Sequence, residues 1–225
     1  MSRVYLVRHG QAAFGTDDYD RLTATGIAQC RQLARHWRAI GRRVDLVYSG
    51  TLRRQRESAD AFVKAAAEES GIALPVKALP GIEEYDHLSL LAAHQGATGV
   101  PATMEDRRAF HRSLSGALQA WAAGELHEVE PYPIFRDRCA AALAKLMRET
   151  GRGRNAVVFG SAGSLAAAMQ PALGLADRDL LRLKLTFFNS GVSSLLFDGE
   201  TVTIESLNTV SHLEQPAFMH LLTHR

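Results

Sequence analysis

What this chain has little of already excludes much. Of its 225 residues two are cysteine and four are lysine, and no uninterrupted apolar run is long enough to span a bilayer. Cys30 and Cys139 both fall in helical patterns, far apart and without histidines at zinc-ligand spacing. They are expected to be two reduced, buried thiols rather than a disulfide. A formal charge of +2 is too small to argue for a nucleic-acid surface or a polybasic membrane contact. The amino terminus offers a single Arg3 before a strand too short for a signal-peptide core, so the expected location is the cytoplasm. What is left, 46% hydrophobic and 22% charged residues, is the balance of an ordinary globular protein with one generous core. Twenty-two arginines against four lysines matter for local anion binding rather than for a global field.

Three segments share one design: an apolar run, a sudden small or polar exit, then a helical pattern. They are Val4 to Val7 with the exit Arg8-His9-Gly10, Val44 to Tyr48 with Ser49-Gly50-Thr51, and Ala156 to Phe159 with Gly160-Ser161-Ala162-Gly163. Runs apolar on both faces suit strands buried in a parallel sheet. Between them Thr23 can cap a helix whose inner face carries Ile27, Cys30, Leu33, Ala34 and Trp37. Further helices are expected from about Leu52 to Gly71, from Phe135 to Met147 and from Leu165 to Leu173, and Asp198-Gly199 joins Val192 to Phe197 and Thr201 to Glu205 as a hairpin. This alternation predicts an α/β layered fold with a mostly parallel central sheet, in one domain over 1–225. Residues 86–131 are less regular, with Gly96, Gly99 and Pro101 before a helical stretch from about Met104 to Ala123. They are expected to form a cap-like insertion over the carboxyl ends of the strands.

If the three exits share one sheet edge, their polar residues converge where open α/β sheets bind ligands. The first brings Arg8, His9 and a glycine through which the backbone could approach an anion. The second opens a helix with Leu52-Arg53-Arg54-Gln55-Arg56, one or two of whose arginines could face His9. The third brings Ser161 among small neighbours, a shape that bares backbone N–H groups. Arginines and donors around one histidine make a phosphate pocket that would neutralise charge on a transferring phosphoryl group. The guanidinium charges would also hold the imidazole neutral and nucleophilic. Glu83 or Glu84, in Pro-Gly-Ile-Glu-Glu-Tyr-Asp, is the acid best placed to protonate a leaving oxygen.

These motifs resemble those of the histidine phosphatase superfamily, the phosphoglycerate mutase-like proteins. Arg8-His9-Gly10 is similar to the signature whose histidine is transiently phosphorylated. Leu22-Thr23-x-x-Gly26 with Gln29 resembles the start of the first helix, and Tyr48-Ser49-Gly50-Thr51-Leu52-Arg53-Arg54 the second phosphate-binding segment. Ile82-Glu83-Glu84 resembles the segment of the proton donor and favours Glu84 over Glu83. Asn189-x-Gly-Val-Ser and Leu207-Asn208 through His212-Leu213 resemble the closing strands, with His212 structural. The resemblance covers nearly the whole chain and implies a three-layer α/β/α fold with a helical insertion. Two departures stand out. Ser161 occupies the place of the family's second histidine, and the early asparagine falls near Gly15.

The resemblance implies a phosphoric monoester hydrolase with catalytic His9 and Glu84, phosphate held by Arg8, Arg54 and Ser161, and neither metal nor cofactor. The alternatives are a weak or inactive relative that binds phosphorylated ligands, motivated by Ser161, and a phosphomutase. One of His87, His94, His111 and His127, with His87 foremost because it lies near the acid, could stand in for the missing histidine. The expected partner is a phosphorylated small molecule or phosphoprotein, with no nucleic acid and no membrane. The strand near 201 to 205 is a candidate surface for a homodimer.

Overall fold

A computed structural model describes residues 1–16, 18–100, 107–199 and 201–224, the side chains of residues 107 and 108 excepted. Six strands form one sheet: β1 (Ser2–Arg8), β2 (Leu46–Ser49), β3 (Val76–Ala78), β4 (Asn155–Gly160), β5 (Val192–Phe197) and β6 (Val202–Thr209). Their order is β3-β2-β4-β1-β5-β6. The first four run parallel, and β5 and β6 complete the sheet in antiparallel fashion. The helices are α1 (Ala24–Ala39), α2 (Arg53–Ser70), α3 (His87–Thr98), α4 (Arg107–Ala122), α5 (Tyr132–Thr150), α6 (Ala162–Leu173) and α7 (Asp177–Leu183). No helix among the described residues is long and apolar enough to cross a membrane.

The two-residue period of β1 explains the layering. Tyr5 and Val7 point to one face, where they meet Cys30, Leu33 and Trp37 of α1 and Phe62 of α2. Val4 and Leu6 point to the other, into a larger core that includes Phe135 and Cys139 of α5 and Leu165 of α6. A strand buried on both faces must be covered by helices on both faces, and the three-layer arrangement follows. Both cysteines are buried and free.

Thr23 caps α1 as expected, its hydroxyl accepting from the Gly26 amide at 3.1 Å. The expected inner face is wrong in one place: Ile27 is 42% exposed. The inward position at the start of α1 belongs to Gly26, because the helix packs backbone against backbone on the first exit. A Cβ at Gly26 would sit 2.2 Å from the Gln11 carbonyl oxygen, and one at Gly10 would sit 2.3 Å from that of Gly26. Gly10 is thus required by its contact with α1.

The hairpin forms, with its second strand running on to Thr209. Three elements were not expected: β3, α3 and α7. β3 has only three residues and a largely exposed pattern. The start of α3 is set by Asp86, whose carboxylate accepts from the Leu88 and Ser89 amides. The helix expected from Met104 is described from Arg107, so Pro101 and Met104 lie outside the described residues.

Gly26→Ala is expected to cost about 1–3 kcal/mol, because neither backbone at this contact can withdraw. Urea denaturation against Gly96→Ala, a helical site with nothing within 4 Å of a new Cβ, checks this. The control is expected to be neutral or slightly stabilising.

Candidate active site

Backbone pairing carries the three exits to one edge of the sheet. Arg8 lies opposite Gly160 in the register of β1 and β4, and the ladder continues with the His9 amide donating to the Gly160 carbonyl at 2.8 Å. The Gly50 amide donates to the Phe159 carbonyl at 3.0 Å, joining the second exit to the third. Above this edge lies a cavity of about 130 Å³, and Arg8, His9, Arg54, Glu84, His87 and Lys184 all line it. Phe14, Tyr19, Phe110 and Leu114 form its apolar wall, the last two from α4.

His9 is 4% exposed, and its Nδ1 stands 2.7 Å from the Gly10 carbonyl oxygen. A carbonyl can only accept, so Nδ1 carries the proton and Nε2 keeps the lone pair. Burial holds its pKa well below the usual 6.5, and the charges of Arg54 and Arg8 add to that. Burial thus outweighs the guanidinium effect that the sequence suggests. The backbone beside the ring is also fixed. Ser190, at φ 54°, donates its amide to the Arg8 carbonyl at 3.1 Å, and Asn189 Nδ2 reaches the His9 carbonyl at 3.3 Å. The Ser190 hydroxyl in turn shares a 2.8 Å hydrogen bond with buried His212, whose pKa burial pulls down to about 3.

Arg8 donates through Nη1 to the carbonyls of Phe187 and His224. Burial lowers its pKa to about 10, which leaves it charged at neutral pH. Arg54 is 6% exposed, pairs with Asp20 through Nη1 and lies 5.3 Å from the centre of the Tyr19 ring. The Nε atoms of both arginines are buried and find no hydrogen-bond partner among the described residues. Arg53 and Arg56 are exposed, with Arg53 paired to Asp18 and Glu57. One step along a helix turns a side chain by about 100°, which is why only the middle arginine of the three faces inward.

The two glutamates also part company. Glu83 accepts from the Thr51 hydroxyl at 2.8 Å and the Gly81 amide at 2.7 Å. Burial raises its pKa, but these hydrogen bonds outweigh that and hold it below the usual value. Glu84 lines the cavity, its Oε2 accepting from the Gly163 amide at 2.8 Å. A Cβ at Gly163 would sit 2.3 Å from Glu84 Oε1, so the glycine of the third exit makes room for the carboxylate.

The structure does not place Ser161, expected as a phosphate contact, in the cavity wall. The serine is 1% exposed. Its hydroxyl accepts from Gln55 Nε2 at 2.9 Å, and its amide donates to the Ser164 hydroxyl at 3.2 Å. The neighbouring Ala162 reaches the cavity instead. Of the four histidines considered, His87 and His111 line the cavity and His127 is exposed. His94 lies beside Gly116 of α4. His87 packs edge-on to Tyr19, and its pKa is lowered chiefly by burial.

Sequence reasoning missed Lys184. It stands in the turn Lys184–Thr186 after α7, 6% exposed, with Nζ donating to the Tyr85 hydroxyl. The one signal for it was its position between leucines in a chain poor in lysine.

The family model of the histidine phosphatase superfamily (branch 1) matches residues 4–210. No curated protein sequence matches the chain. Among solved structures, it resembles a phosphoserine phosphatase from Entamoeba histolytica in complex with 3-phosphoglyceric acid. The two share 18% identity and a TM-score of 0.66 over 95% of this chain and 100% of that one. A phosphoglycerate mutase from Bacillus anthracis str. Sterne is 19% identical, with a TM-score of 0.66 over 94% of each chain. An alpha-ribazole phosphatase from Shigella flexneri is 19% identical, with a TM-score of 0.64 over 92% of this chain and 96% of that one. The fold is therefore phosphoglycerate mutase-like.

His212 makes stability depend on pH. Neutral in the fold down to about pH 3, it takes up a proton in the unfolded chain near 6.5. The unfolded state thus binds more protons between these values, and stability present above pH 6.5 is lost as pH falls. Chemical denaturation at pH 7.5 and 5.5 is expected to show a drop that shrinks by about 1 kcal/mol in His212→Gln.

Proposed function

This chain belongs to the histidine phosphatase superfamily (branch 1), and on that premise we propose that it is a phosphomonoesterase working through a phosphohistidine at His9. One observation carries the proposal: a neutral His9, with Nδ1–H fixed on the Gly10 carbonyl, shares a cavity with two arginines whose buried Nε donors are unpartnered among the described residues. The Nε2 lone pair attacks phosphorus in line while Arg8 and Arg54 hold the equatorial oxygens. As the ester P–O bond breaks, Glu84 gives its proton to the leaving oxygen. The resulting carboxylate then takes a proton from water, whose oxygen attacks phosphorus. The P–N bond breaks, and phosphate and neutral His9 are restored. No step needs a metal or cofactor.

The cavity supports a small phosphomonoester rather than a phosphoprotein. At about 130 Å³ it falls below the roughly 300–1,000 Å³ of pockets that take drug-sized ligands. Residues 86–131 act as the cap in this reading, and His87 is the group best placed to serve where the family has its second histidine. Ser161 favours one other reading, a binding protein without turnover, because its hydroxyl is engaged by Gln55.

Hydrolysis of an aryl and an alkyl phosphate across pH 4 to 8 separates the two. His9→Ala is expected to remove turnover of both. Glu84→Gln is expected to cost about 10²–10⁴-fold with the alkyl ester and less with the aryl ester, whose leaving oxygen needs less proton assistance. The acid-side loss of activity is expected below pH 6.5, because His9 resists protonation. Wild-type turnover no greater than that of His9→Ala would establish the binding reading.

A further inference from the structure

Three cations line the cavity: Arg8, Arg54 and Lys184. Arg54 is neutralised in part by Asp20. Arg8 donates through Nη1 to two carbonyl oxygens. Lys184 is a third cation, nine-tenths buried, with no carboxylate within 4.0 Å among the described residues. A buried ammonium is costly unless it is paired, and the Tyr85 hydroxyl uses only one of its three N–H donors.

Its position gives it a use. Lys184 is hydrogen-bonded to the hydroxyl of Tyr85, the residue directly after Glu84, and lines the same cavity as that carboxylate. The charges it feels most are those of Glu84 and then Arg8. Arg54 comes from α2 and stands over Tyr19, whereas Lys184 comes from the turn after α7 and stands on Tyr85. A phosphoryl group held by the two arginines against His9 would therefore leave Lys184 facing the rest of the substrate.

We propose that Lys184 is a specificity-determining residue which binds a second anionic group, a carboxylate or another phosphate, on the leaving-group portion of a small phosphomonoester. The inference rests on the phosphomonoester site described above and names the substrate class that site prefers. Tyr85 orients the ammonium and accepts one of its hydrogens, and the remaining donors serve the anion. A charge-assisted hydrogen bond in a buried site contributes about 10- to 100-fold in affinity, enough to select a phosphorylated acid over its neutral isostere.

The test is binding, titrated with His9→Ala placed in the wild-type and Lys184-variant proteins alike, so that the hydrolysis proposed above cannot consume the ligands; the hydrolysis assay keeps His9. Calorimetry would compare 3-phosphoglycerate with glycerol 3-phosphate, which replaces the carboxylate by a hydroxymethyl group, and with glycerol 1,3-bisphosphate, which replaces it by a second phosphate ester. Wild-type protein is expected to prefer one or both of the doubly anionic ligands by about 10-fold or more. Which of the two it prefers identifies the second group. Lys184→Met is expected to bring that ratio close to one, and Lys184→Arg to keep most of it. Substituting methionine for a buried cation fills similar volume without a charge, so the fold is expected to survive. Equal wild-type affinity for all three ligands would overturn the proposal, as would a ratio that survives in Lys184→Met. Aryl phosphate hydrolysis measured alongside separates the two conclusions. A preference that depends on Lys184 without hydrolysis removes the phosphatase reading and keeps the ligand class, whereas hydrolysis without preference does the reverse.

Discussion

The parallel pairing of β1 with β4 is the constraint on which the rest of this pocket depends. It sets Arg8 beside Gly160 and carries the ladder one residue further, through the His9 amide. His9 thus emerges beside the start of α6, where Gly163 offers its amide to Glu84. A slip of one residue would turn Tyr5 and Val7 into the wrong core and move His9 away from the other exits. Because both faces of β1 are packed, hydrophobic burial specifies the register, and the chemistry takes its geometry from it.

Around this pairing the structure places close backbone contacts where a side chain could have stood. Gly10 against Gly26, and Gly163 against Glu84, leave no space for a Cβ. The first lays α1 on the first exit, and the second draws a carboxylate onto the start of α6. Beneath them His212, Ser190 and Asn189 tie the carbonyls of Arg8 and His9 to the far side of the sheet. Preorganisation of this kind places donors and lone pairs before a ligand arrives, so that no reorganisation is required during reaction.

The pocket is also a concentration of positive charge in a dry place. Burial lowers the pKa of Arg8 and Lys184 and holds His9 well below its usual range. Such an arrangement disfavours the protein by itself and favours the complex with an anion, which is how a binding site stores part of its affinity. Beside the cavity the Ser161 hydroxyl pairs with Gln55, so it is not left as a stranded buried polar atom, and the neighbouring Ala162 faces the cavity.

The sequence by itself determined the α/β class, the three strand exits and the caps at Thr23 and Gly71. These follow from local periodicity and from residue types with few alternative uses. It did not reveal that Ile27 faces solvent, that Arg54 alone of three arginines turns inward, or that Ser161 is sealed beneath the cavity. Nor did it show Lys184, nearly a hundred residues from Tyr85 in the chain, bonded to that tyrosine's hydroxyl. Those facts depend on which side of an element faces the core and on contacts between distant segments. Only the packed sheet, with its register and its close backbone approaches, could decide them.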